Sequence, residues 1–70
     1  MNSNELKAEI VRNNLTIPKL AKLINVNKTT LYSRISGKTP FTQKEITAIA
    51  KILNLSKEKI FFIFFTDKVA

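Results

Sequence analysis

The chain of 70 residues contains no cysteine and no histidine. Disulfides, thiolate chemistry, a structural zinc site and imidazole catalysis are thereby excluded, and the fold must hold itself together by packing. Glycine occurs once and proline twice, while 44% of the residues are hydrophobic. That composition belongs to a compact helical domain and not to a disordered segment. Seventy residues lie near the lower limit for a self-sufficient helical core, so one domain spanning 1–70 is expected. The longest apolar run, Ile60 to Phe65, is six residues, against about 20 for a membrane-spanning helix. The start, Met1-Asn2-Ser3-Asn4, shows no basic stretch leading into an apolar one. A cytoplasmic protein with no membrane partner is the expectation.

Acidic residues are scarce in one place above all. The formal charge is +7, and no acid occurs between Glu9 and Glu45, a window holding Arg12, Lys19, Lys22, Lys28, Arg34, Lys38 and Lys44. Outside it, Lys7, Lys51, Lys57, Lys59 and Lys68 stand against the five acids. The net charge therefore falls to one stretch of the sequence. Lys and Arg near phosphates release counterions, so this segregation favours a polyanion, with nucleic acid the leading partner.

The same stretch carries the clearest structural pattern. In Ile17 to Ser36, IPKLAKLINVNKTTLYSRIS, Ala21 lies in a helical run, Asn25 falls four residues later, and Leu31 and Ile35 return at helical spacing. Two short helices joined by a tight turn are implied. Ala21 supplies the small side chain needed where the axes approach, and Asn25 tolerates the left-handed backbone that an abrupt reversal requires. Leu20, Leu23, Ile24, Leu31 and Ile35 are expected to share a core, leaving Lys28, Thr29, Tyr32 and Ser33 outward.

Five helices are expected, at about 4–13, 17–24, 28–36, 42–53 and 57–65, giving an all-α fold. Leu6, Ile10 and Val11 form the stripe of the first. Thr16 or Ile17 caps the second ahead of Pro18, Asn27 caps the third, and Gly37 stops it. Thr42 and Glu45 form a capping box for the fourth, whose buried stripe is Ile46, Ile49, Ala50 and Leu53. Asn54 ends that helix, and Ser56 caps the fifth. On that last helix Ile60, Ile63 and Phe64 share a face. Phe61, Phe62 and Phe65 spread around the others, either completing the core or leaving an apolar patch for a second copy or another protein. The tail, residues 66–70, is expected to fray or pair as an edge strand.

With Ala21, Asn25, Val26 and Leu31 placed, residues 4 to 65 resemble the Cro and repressor family of phage helix-turn-helix proteins, whose turn follows A-x-x-x-G-V-x-x-x-x-[IL]. Gly37-Lys38 stands where a G-K pair often follows the recognition helix. KTTLYSRISGKTPFTQKEI and LNLSKEKIFFIFF look more narrowly like the short Cro-like or repression-modulator proteins of Gram-positive phages and prophages. Asn25 replaces the usual Gly, Ile17 stands where relatives often present Gln to a phosphate, and Arg34 occupies a slot often apolar. Arg34 is expected either to reach a phosphate or to fold back along the surface.

The resemblance implies a non-enzymatic transcriptional regulator in a bacterial host, with its third helix in the major groove of operator DNA and a two-fold dimer on half-sites. Asn27, Lys28, Thr29, Tyr32 and Ser33 would face the bases. Lys28 suits guanine O6 or N7, Thr29 a thymine methyl or a phosphate, and Tyr32 the groove wall. Thr16, Lys19, Lys22, Lys38 and Thr39 would take the backbone. No cofactor, metal or small-molecule substrate is expected. Phe61, Phe62 and Phe65 are the candidate surface for a homodimer, or for a partner phage repressor if the chain acts mainly by protein contact. An enzyme is the weakest reading, because Glu5, Glu9, Glu45, Glu58 and Asp67 belong to no nucleophile and base constellation.

Overall fold

The computed structural model describes residues 1–66; the expectation for the tail beyond Thr66 lies outside them. The helices are α1 (Ser3–Arg12), α2 (Ile17–Leu23), α3 (Lys28–Ile35), α4 (Gln43–Leu53) and α5 (Lys57–Ile60), and α5 runs on into a wider π-helical turn over Phe61–Phe65. No strand occurs among the described residues. The architecture is an all-α helix-turn-helix fold.

Every helix begins at a side-chain cap. Asn2, Thr16, Asn27, Thr42 and Ser56 accept the amide protons of Glu5, Lys19, Thr29, Glu45 and Lys59 at 2.8–3.3 Å. Each bond satisfies a donor that has no partner inside its helix. Thr16, not Ile17, is thus the cap of α2, and Thr42 lies outside α4. At Thr42 the capping box closes, since Glu45 Oε1 accepts the Thr42 amide at 3.0 Å.

The helix ends are equally regular. Asn14, Asn25 and Asn54 adopt φ of 57°, 61° and 53°, and Gly37 adopts 89°. After each, an amide reaches back five residues: Leu15 to Ile10, Val26 to Ala21, Lys38 to Ser33 and Leu55 to Ala50, at 2.9–3.0 Å. These are Schellman ends, which satisfy carbonyls the helix leaves orphaned. Leu15, Val26 and Leu55 then drop half-buried against the core, whereas Lys38 stays exposed.

The core gathers Leu6, Ile10, Leu20, Ala21, Leu31, Ile35, Ile49, Leu53 and Ile63. Of the other residues expected in the core, Ile46 is buried, Ile24 and Ala50 are half-buried, and two are exposed. Val11 is 70% exposed and Leu23 57%. A helix turns about 100° per residue, which puts Val11 about 140° from Leu6 and off its stripe. Leu23 is out because α2 turns Leu20 and Ala21 inward together. Its side chain is left about 110° from that face.

The π-helical turn buries Ile63, half-buries Phe64, and leaves Phe61, Phe62 and Phe65 exposed by 61%, 45% and 54%. The rings therefore do not mostly complete the core; this domain is too small to cover all four. Phe64 meets Phe41 edge-on with centroids 5.3 Å apart. The widened turn is tied from outside its own ladder: Asn2 N–H donates to the Ile63 carbonyl at 2.7 Å, and Thr66 Oγ1 to the Phe61 carbonyl at 3.1 Å. Ser3 Oγ donates to the Ile35 carbonyl at 2.6 Å, joining the chain start to the end of α3.

Candidate nucleic-acid interface

The outward face of α3 follows from which side it buries. Leu31 and Ile35 point inward, so helical periodicity turns Thr29, Tyr32 and Ser33 away from the core. Thr29 and Tyr32 are exposed, and Ser33 is half-buried. Asn27 has its side-chain oxygen committed to the Thr29 amide, leaving its amide protons free to donate. The Ser33 carbonyl accepts Ser36 Oγ at 2.9 Å. Lys28, the first residue of α3, is exposed, as are Thr16, Lys19 and Lys22 on α2 and its cap.

Some candidates are brought together. Lys22 and Lys28 line one open depression of about 300 Å³ together with Pro18, Ala21 and Val26. One residue assigned to phosphate and one assigned to bases thus share a single notch between α2 and α3. Lys38 and Thr39 stand apart, exposed on the loop that follows Gly37.

Ion pairing sorts the basic residues in a way the sequence does not. Arg12 lies 3.0 Å from Glu5 and 2.7 Å from Glu9, and Lys59 lies 2.8 and 3.4 Å from the same two carboxylates. This cluster ties α1 to α5. The hydrogen bond from Lys59, then that from Arg12, holds the Glu5 carboxyl below its ordinary range, and Glu5 in turn raises both cations. Arg34 is also engaged: its Nε sits 2.8 Å from Glu45 Oε1 without its N–H aimed at that oxygen. Nη1 of Arg34 donates to the Pro40 carbonyl at 3.0 Å and to Thr39 Oγ1 at 3.3 Å. The net charge belongs to the acid-free window of the sequence, but not all of its cations are free to meet a polyanion. Two of its seven basic residues are paired internally, leaving Lys19, Lys22, Lys28, Lys38 and Lys44, which make no ion pair among the described residues.

Lys44 was not among the sequence candidates. It is exposed on the first turn of α4, beside a depression shared with Asn25 and Val26 of the α2–α3 turn. Its place inside the acid-free window was the available signal, but only folding brings it beside the turn. Among the described residues no group of acids, His or Cys could hold a metal ion, and no helix is long and apolar enough to cross a membrane.

A model of the helix-turn-helix family matches residues 6–60. The chain belongs to this family, the Cro and repressor type of helix-turn-helix, whose members are DNA-binding domains of transcription regulators and not normally enzymes. No curated protein and no solved structure matches the chain.

Proposed function

We propose that this chain is a sequence-specific, Cro-like regulator of phage or prophage origin that inserts α3 into the major groove of its operator, N-terminal end first. The observation that carries the reading is the sorting of charge: both arginines are engaged by the protein's own carboxylates, while the lysines at positions 19, 22, 28, 38 and 44 remain outward and without an ion pair among the described residues, on α2, α3 and their flanks. Lys28, Thr29 and Tyr32 read base edges, with Asn27 and Ser33 at the margins of that face. Thr16, Lys19, Lys22, Lys38 and Thr39 hold phosphates and fix the register. Repeated selection from a random duplex pool tests this. An enriched, two-fold repeated sequence supports the reading, and a pool that stays random defeats it.

A second reading has one observation in its favour, the exposure of Phe61, Phe62 and Phe65. In the first reading this surface pairs two copies across the operator dyad; in the second it grips a partner phage repressor and alters that protein's activity. Gel shifts with the neighbouring promoter, with and without the co-encoded repressor, separate the two. A shift by the protein alone favours DNA readout, and a change seen only with the repressor present favours modulation.

A further inference from the structure

The connection from α3 to α4 differs from the other three in what fixes it. After Asn14, Asn25 and Asn54 an apolar residue returns to the core and a cap follows at once. After Gly37 the exposed Lys38, Thr39 and Pro40 intervene before an apolar residue, Phe41, returns to the core ahead of the cap Thr42. The Arg34 side chain spans this gap: it bonds Thr39 Oγ1 and the Pro40 carbonyl, and its Nε lies against the Glu45 oxygen that also accepts the Thr42 amide. The pair is largely withdrawn from water, with side chains 20% and 12% exposed.

Resting on the DNA-binding reading above, we infer that Arg34 and Glu45 form a clamp that positions Lys38 and Thr39 for phosphate, Arg34 itself touching no DNA. The hydroxyl of Thr39 receives the guanidinium proton on its oxygen, which leaves its own proton to donate outward. Lys38 is held by its backbone, its amide bonded to the Ser33 carbonyl at 3.0 Å. A fixed loop gives up little freedom when it meets a phosphate, and that advantage is lost if the clamp opens.

The test uses the whole chain, a labelled duplex of random sequence and a salt titration. Each phosphate contact contributes about 0.9 to the salt slope. Arg34→Met and Lys38→Ala are each expected to lower the slope by about 0.9, and the double variant by about 0.9 as well. A drop of about 1.8 in the double variant would show Arg34 on a phosphate of its own and overturn the inference. Glu45→Gln keeps an acceptor for the capping box and raises the net charge by one. Simple attraction to DNA then predicts tighter binding, whereas the clamp predicts weaker; tighter or unchanged binding overturns it. Backbone relaxation of the free protein decides the same point without DNA. Loops 37–40 of Arg34→Met and Glu45→Gln are expected to become more mobile while α1 and α4 do not, and unchanged relaxation contradicts the clamp. A wild-type chain that binds no duplex at low salt would sink the DNA reading and the phosphate role with it, and the relaxation data would still show whether Arg34 holds the loop.

Discussion

The α2–α3 turn and the α3–α4 connection lie at opposite ends of the same helix and are built on different physics. Asn25-Val26-Asn27 is the pattern also seen in Asn14-Leu15-Thr16 and Asn54-Leu55-Ser56: a left-handed residue, an apolar anchor and a cap. Its lock is burial and backbone hydrogen bonding, both nearly indifferent to salt. Gly37 to Thr42 has the same left-handed start, but its apolar anchor, Phe41, comes only four residues later, and a half-buried ion pair holds the exposed stretch between. The first kind of turn fixes how two helices cross. The second kind leaves a loop exposed with its lysine outward, and so makes surface available at the cost of a weaker, charge-dependent hold.

The comparison can be broken most forcefully at its apolar end. Leu31 is fully buried where α2 meets α3, and Leu31→Ala is expected to cost about 2–5 kcal/mol. A domain of this size has about 4–10 kcal/mol in all, so urea unfolding should show a large shift. A loss below about 1 kcal/mol would mean that the crossing is not the centre of the core. Next comes Lys28→Ala, expected to weaken operator binding by about 1–3 kcal/mol and to relax one base preference. Unchanged affinity and preference would remove Lys28 from the readout.

The left-handed positions sharpen the contrast. Nothing lies within 4 Å of a Cβ added at Gly37, so Gly37→Ala should cost only the backbone strain, about 1–2 kcal/mol. Asn25→Ala should cost about 1 kcal/mol on the same ground, and Asn25→Gly clearly less. Thermal melts of the three variants would contradict the assignment if Asn25→Gly proved the worst. The smallest effect concerns acid. Because Lys59 and Arg12 lower the Glu5 pKa, its contribution is present above the ordinary glutamate value of about 4.3 and fades as the pH falls through the lowered one. Glu5→Gln should flatten that part of the stability profile; an identical acid limb would discount the cluster.

Local chemistry made much of the fold legible in the sequence. Asn25, Asn27, Gly37, Thr42, Glu45, Asn54 and Ser56 each act on backbone within a few residues of themselves, so their roles as stops and caps follow from residue type and spacing. The crossing at Ala21 and the buried Leu31 and Ile35 follow from helical period. What needed the tertiary structure were matters of distance along the chain. Glu5 finds Lys59 from near the other end of the chain, and Arg34 finds Glu45 across a loop, so only folding decides which cations of the acid-free window remain outward. Periodicity could place Leu23 and Val11 near an apolar stripe, but the roll of each helix, set by what it packs against, turned them to solvent. Composition could count the Phe residues after Ser56; how little core a small domain has for them settled that three stay outside. Sequence determined the turn that defines this family because its forces are local, and tertiary structure decided the charge and apolar surfaces because pairing and burial depend on neighbours the chain brings from afar.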